Sequence, residues 1–135
     1  MEKMNALLLL TPKTELACLT DDVSVRQALE KMRAHGYMAI PVITKDGEYV
    51  GTIAEGDLLW KLVDEDNDLE ALDDISIKDI IRTNYTPAVK VDADMDELAN
   101  MIIEQNFIPI VDDRNILMGI VTRRNVLKVL LKNKG

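Results

Sequence analysis

The sequence predicts an α/β fold made of two tandem units, each β-α-β-β-α, packed as one body. Three observations carry this. First, "IPVITKDGEYVGTIAEGDLL" (40–59) aligns without a gap with "IPIVDDRNILMGIVTRRNVL" (108–127), placing Pro41 on Pro109 and Gly51 on Gly119. Self-similarity at a fixed period marks a structural repeat. Second, each copy reads strand, turn, strand, helix. Third, each is preceded by a capped helix and a short strand, and two units of about sixty residues are each too small to bury their faces well alone.

In chain order, a short helix near Asn5–Leu10 and a strand near Leu16–Leu19 open the first unit. Ser24-Val-Arg-Gln27 fits a capping box, and Ala28, Leu29 and Met32 line one helix face. Gly36 suits a left-handed helix end. Asp46-Gly47 is a hairpin turn signal between two β-prone runs. A second helix follows Asp57. The second unit repeats this: a short helix near Ser76–Ile81, a strand near Ala88–Val91, a box at Asp94-Met-Asp-Glu97, and a face of Leu98, Ala99, Met101 and Ile102. Asn106 stands as its left-handed end, and Asp113-Arg114-Asn115 as its turn. The proline inside each first strand predicts an edge position, because proline cannot donate to the ladder. "GYMAIP" against "NFIP" shows that the second unit lacks two residues between helix and proline. The boundaries read 1–63 for the first unit, 64–75 for an acidic linker and 76–135 for the second unit.

Composition narrows the function. The 135 residues are 47% apolar and 30% charged, with a formal net charge of −8, one Cys and one His. That excludes a disulfide framework and an ordinary zinc site. Cys18 reads as a small buried residue and His35 as a helix C-terminal residue. "ALLLL" (6–10) is too short to span a bilayer and has no signal-peptide form, so a cytoplasmic location is expected. The acidic balance argues against nucleic acid or an anionic membrane as a partner. There is no nucleophile beside a base, no paired carboxylate motif and no metal cluster. We therefore expect no enzyme, no catalytic residue, no metal and no cofactor.

The charge is uneven. Asp64–Asp79 holds eight acids and one lysine, whereas Arg114–Gly135 holds six bases and no acid. Where strand turns into helix, the first unit reads Ala54-Glu55-Gly56-Asp57 and the second Thr122-Arg123-Arg124-Asn125. Two arginines at a helix start oppose the macrodipole, at about 0.3–1 kcal/mol each. They are solvated, or meet the acidic linker, or meet an anion.

The pattern "IPV…DG…VG.I…DLL", present twice, resembles a tandem CBS-domain pair, the Bateman module, over essentially the whole chain. "TRRNVLK", "GY.AIPV" and "LEALDDISIKDI" are similar to small stand-alone CBS proteins of Gram-positive bacteria that bind cyclic di-AMP. The resemblance implies a pseudo-two-fold module with two clefts for adenine nucleotides, and pairing into dimers. It also implies a motif of Gly, two residues, Thr or Ser, two residues, then a ribose-binding Asp, joined in each cleft to the other unit's strand before proline.

One cleft would then combine Thr122, Arg123, Arg124 and Asn125 with Tyr37, Met38, Ala39, Ile40 and Pro41, plus Leu16 and Ala17. Asn125 replaces the ribose Asp without a charge, and each arginine can offer a planar fork to phosphate. Ala39 allows close approach of a base and Tyr37 can stack on one. The second cleft would combine Ala54, Glu55, Gly56 and Asp57 with Phe107, Ile108 and Pro109. It lacks the hydroxyl, carries a repelling Glu55 and has the shortened strand, so it is expected to be degenerate, with Asp57 a helix cap rather than a ligand residue.

Three functions remain open: a cyclic di-AMP sensor acting on an unidentified protein partner, an AMP, ADP or ATP sensor using Asp57, and a structural dimerisation or adaptor module with vestigial clefts. Partner surfaces would be the basic C-terminal helix (Lys128, Lys132, Lys134) and Trp60, the latter read as core or dimer contact.

Overall fold

The computed structural model describes residues 5–82 and 86–132; Lys134 lies outside them. The elements are α1 (Ala6–Leu9), β1 (Thr11–Pro12), β2 (Leu19–Thr20), α2 (Val25–His35), β3 (Ala39–Ile43), β4 (Tyr49–Ala54), α3 (Glu55–Asp64), β5 (Val89–Lys90), α4 (Met95–Met101), β6 (Phe107–Val111), β7 (Leu117–Thr122) and α5 (Arg123–Lys132). Mixed α and β elements arranged twice give the α/β class the repeat predicts.

The chain folds as two compact bodies. One runs from Ala17 through the middle of the chain; the other joins residues up to Leu16 to those from Thr86 onward. The first holds a three-stranded sheet, β2-β3-β4, and the second a four-stranded sheet, β1-β7-β6-β5. In each, a parallel pair and an antiparallel hairpin are joined across the proline-bearing strand. The leading segment of one repeat completes the body built by the other. Ala6 N–H donates to the Ala93 carbonyl (2.9 Å) in one body, and Ile77 N–H to the Val23 carbonyl (3.1 Å) in the other. Likewise β1 pairs with β7 at Thr11 and Ile120, while Arg82 bridges Thr52.

Each body has its own apolar core. Val25, Ala28, Ile40, Ile53, Leu58, Leu72 and Ile77 are fully buried in the first. Ala6, Leu98, Ile108, Ile110, Val121 and Val126 are fully buried in the second. Leu72 sits in a 3-10 turn, Ala71–Asp74, within the acidic stretch. Arg26 clamps Asp73 there at 3.1 Å, which raises its own pKa chiefly through that carboxylate. The hairpin turns match by different chemistry. Gly47 has φ 92°, and Asn115 takes the same place at φ 68°. The Thr44 hydroxyl accepts from Asp46 N–H and Glu48 N–H, both at 3.2 Å. Asp112 does this with Arg114 N–H (2.8 Å) and Ile116 N–H (2.9 Å), bonds that hold its carboxyl below the usual range, with Ile116 the larger cause.

Four expectations are corrected. The prolines are not on edge strands: β3 and β6 are flanked on both sides. Their short neighbours stop first, pairing only at Val42–Ile43 and Ile110–Val111. Pro41 and Pro109 thus lie one residue beyond the parallel ladder, where no donor is required. Asn106 is not a left-handed helix end; Gly36 is, at φ 68°, but α4 stops at Met101. Its last turn is replaced by an irregular one, whose anchor is described below. Cys18 is half-buried rather than buried, its carbonyl accepting from Lys31 Nζ at 2.6 Å. Trp60 is not core: it is 70% exposed.

The first body also buries a polar pair, Tyr49 and Thr52, whose hydroxyls lie 2.7 Å apart. Burial pushes the Tyr49 phenol up to about 12, against the opposing pull of that hydrogen bond. Because the folded state holds this proton more tightly, the group's stabilisation is fully present below the unfolded pKa near 10 and is lost as pH rises through about 12. Absorbance titration should therefore show Tyr49 ionising late in the folded protein and normally in denaturant.

Candidate ligand-binding site

The α5 junction is built by a strand that ends on its own helix cap. β7 closes at Thr122, whose hydroxyl accepts from Asn125 N–H at 3.1 Å. Accepting at one lone pair leaves the hydroxyl proton available to an oxygen in front of the helix. Arg123 N–H donates to the Asn106 carbonyl at 2.9 Å. At the corresponding place in the other body, Glu55 N–H donates to the Met38 carbonyl at 2.8 Å. The two junctions are therefore held alike and differ in side chains.

The two arginines are not equivalent. Arg123 Nε donates to the Ile102 carbonyl at 2.8 Å. Ile102 is the cap residue of α4, so Arg123 satisfies a helix-end carbonyl that the shortened α4 leaves over. This is the anchor that replaces the predicted Asn106 cap. Gln105 completes the turn by donating to the Pro87 and Phe107 carbonyls (3.2 and 2.9 Å). Arg124 is exposed. Neither it nor the terminal nitrogens of Arg123 has a protein partner among the described residues. Arg123 orients the junction, while Arg124 is the cation in reserve.

The α3 junction is spoken for. Ala54 has no side-chain acceptor, and Asp57 reaches back instead, one carboxylate oxygen accepting from Ala54 N–H at 3.2 Å. The other accepts from Arg82 Nη2 at 2.7 Å, with the Asp57 side chain only 17% exposed. The cap that the sequence predicts is present, but the Arg82 partner, 25 residues away, has no local sequence signal.

The strands before the prolines divide by exposure. Ile40 and Ile108 are core residues, and Pro41 and Pro109 are buried. Tyr37 and Met38 are exposed, and Ala39 and Phe107 half-buried. Tyr37 stacks on His35, rings 5.4 Å apart and 9° from parallel. Phe107 lies opposite Thr122, and Ala39 opposite Ala54, so within its own body the Thr122 junction faces a large ring and the Ala54 junction a methyl. Leu16 and Ala17 are half-buried, between a 3-10 turn and β2. Leu16, Phe107–Pro109 and Thr122–Asn125 belong to one body; Ala17, Tyr37–Pro41, Ala54 and Asp57 belong to the other. A groove of about 590 Å³ between α2 and α3, bounded by Tyr37, Glu55 and Leu59, lies in the first body. Among the described residues no group of His, Cys, Asp and Glu could hold a metal, and no helix is long and apolar enough to cross a membrane.

A tandem repeat with a capped strand-to-helix junction in each half is the arrangement of a paired-domain module. The CBS-domain family model matches residues 9–70 and 73–132, and the chain belongs to that family as a tandem pair. Uncharacterized protein MK0525 of Methanopyrus kandleri is 32% identical over 73% of this chain, which spans half of that protein's length. Cyclic di-AMP receptor B of Bacillus subtilis is 28% identical over 82% of this chain and 75% of its own. Among solved structures, CbpB in complex with c-di-AMP superposes with a TM-score of 0.85 at 24% identity, covering 96% of this chain and 85% of that one. CBSX2 in complex with AMP, a protein of Arabidopsis thaliana, superposes at 0.78 and 25%, covering 97% and 98%. The matched CbpB and CBSX2 chains are covered over 85% and 98% of their own length, so these two likenesses are to chains that are little more than a CBS pair.

Proposed function

We propose that this chain is a nucleotide-sensing regulatory module that binds cyclic di-AMP at the first turn of α5 and passes the signal to a protein partner as a homodimer. The observation that carries the reading is the asymmetry of the junctions. At α5, a capping hydroxyl with a spare proton and the backbone N–H and guanidinium of Arg124, neither partnered among the described residues, meet at a helix start, an anion site by charge and by dipole. At α3, the carboxylate that would take a ribose diol is occupied on both oxygens, one by the Ala54 amide and one by Arg82. A cyclic dinucleotide presents phosphodiesters and no free 2′,3′-diol, which matches the first junction and makes no demand on the second. The receptor of Bacillus subtilis supports the same ligand. The AMP-bound CBSX2 neighbour favours a second reading, an AMP, ADP or ATP sensor. That reading requires Asp57 to leave Arg82.

Binding without turnover is the activity expected. Thermal unfolding with cyclic di-AMP, cyclic di-GMP, AMP and ATP separates the readings. A ligand that binds only the folded state stabilises it by about 2.7 kcal/mol at a hundred times its Kd. A saturable rise with cyclic di-AMP alone supports the proposal. A rise with AMP or ATP alone replaces it with the second reading, and no rise with any of them favours a structural adaptor.

A further inference from the structure

Arg123 grips the turn between α4 and β6 at both ends. Its side-chain Nε donates to the Ile102 carbonyl at 2.8 Å, where the turn begins. Its backbone N–H donates to the Asn106 carbonyl at 2.9 Å, where the turn ends. Between these points Glu104 N–H and Gln105 N–H share the Met101 carbonyl, each at 3.2 Å. The Ile102 side chain is buried in the core, whereas Ile103 is 75% exposed and Glu104 and Asn106 are exposed. What Arg123 holds is therefore a piece of surface anchored by one core residue.

The other repeat closes the same corner without a side chain from its junction. α2 runs for 11 residues against 7 in α4. It ends on Gly36, whose left-handed φ lets Gly36 N–H and Tyr37 N–H serve the Arg33 and Met32 carbonyls. Glu55 N–H still meets the Met38 carbonyl, but the ionised Glu55 side chain has no donor and can hold no helix-end carbonyl. The shortened connection and the arginine thus go together. Where the last helical turn is missing, the side chain at the next helix start does its work.

A guanidinium carries its N–H donors in one rigid plane. Arg123 spends Nε on Ile102, while its terminal nitrogens have no partner among the described residues. They stand at the same helix start as the Thr122 hydroxyl and Arg124. An anion taken by the terminal fork leaves the Nε bond intact and fixes the plane in which Nε points. A side chain already held by the anion has less rotamer freedom left to lose in holding the carbonyl, so the two contacts favour each other.

We infer that Arg123 is a positioning residue that carries ligand occupancy at the α5 start to the Ile102–Asn106 turn, ordering that turn and the exposed Ile103 on it when the anion binds. The inference rests on the proposed function and adds the route by which binding reaches the protein surface. Such coupling is reciprocal: the ligand orders the turn, and an ordered turn strengthens the ligand.

Amide hydrogen exchange of the whole chain, with and without cyclic di-AMP, reads the coupling, and calorimetric titration gives the occupancy. In the wild type, ligand should slow the Glu104 and Gln105 amides by about fivefold or more, and leave the Gly36 and Tyr37 amides of the equivalent corner unchanged. Arg123→Lys keeps the charge but gives up the planar fork. It should bind more weakly and, compared at equal occupancy, show none of this slowing. Gln105→Ala removes the bonds to the Pro87 and Phe107 carbonyls on the far side of the turn. It should speed the Glu104 amide in the free protein and weaken cyclic di-AMP by about fivefold. Three outcomes overturn the inference and leave the proposed function standing: a wild-type turn that ignores bound ligand, a slowing that survives in Arg123→Lys, or a turn loosened by Gln105→Ala with affinity unchanged. A wild type that binds no cyclic di-AMP overturns both together.

Discussion

Gly119→Ala is expected to lower stability by about 3 kcal/mol, the upper end of what forced overpacking costs. Gly119 lies in β7 directly opposite Pro12 of β1. A Cβ there would overlap the Thr11 carbonyl oxygen and press on a Leu10 methyl. A side chain could swing aside; a backbone oxygen held in a strand pair cannot. β1 would have to leave β7, and the fully buried Ala6 a few residues earlier would lose its seat. Gly56→Ala provides the contrast. Its Cβ would meet nothing within 4 Å. It is the second residue of α3, and alanine is favoured over glycine in helices, by up to about 0.8–1 kcal/mol at interior positions. Urea unfolding should therefore move the two midpoints in opposite directions. Equal and small shifts would mean that β1 is not part of the folded core.

Arg124→Ala should weaken cyclic di-AMP binding by about 10–150-fold, the worth of a charged hydrogen bond of roughly 1.5–3 kcal/mol, with no fall in unfolding midpoint and a small rise as the helix start loses an opposing charge. Arg124 has no protein partner among the described residues and is exposed, so truncation removes no stabilising contact of the folded chain. Arg123 is the wrong residue for this purpose. Its Nε holds the end of α4 through the Ile102 carbonyl, and Arg123→Ala would mix lost binding with a lost helix anchor. Asp57→Asn should leave cyclic di-AMP affinity within twofold while costing stability through the Arg82 pair. Calorimetric titration of both variants reads the two effects side by side. Loss of binding in Asp57→Asn with none in Arg124→Ala would assign the site to the wrong junction.

The fold was legible because a repeat is stated twice. The gapless match from Ile40 to Leu59 fixed two hairpins and two helices, and the Ser24 box and the Gly36 end followed from side-chain chemistry within one turn. What escaped was set by groups distant in sequence. Nothing near Met101 says where α4 ends, since the carbonyl that closes it is served by Arg123, 21 residues on. Nothing near Asp57 names Arg82. The prolines misled because the edge rule concerns missing donors, and a two-residue neighbour frees a position in a central strand as completely as an edge does. The exchange of leading segments between the bodies was also invisible, because α1 and the Ile77 turn look the same whichever core receives them. For the site, the inverted charge at the two junctions was plain in the letters. The division of labour between Arg123 and Arg124 was not, because both are arginine and only one finds a carbonyl.

A crystal structure of the protein grown with cyclic di-AMP tests the central claim most directly. The account predicts a ligand phosphate at the first turn of α5, within hydrogen-bond distance of the Thr122 hydroxyl and the Arg124 guanidinium, with the Asp57–Arg82 pair intact. Ligand at the Ala54–Asp57 junction with Arg82 displaced, or at neither junction, would contradict it.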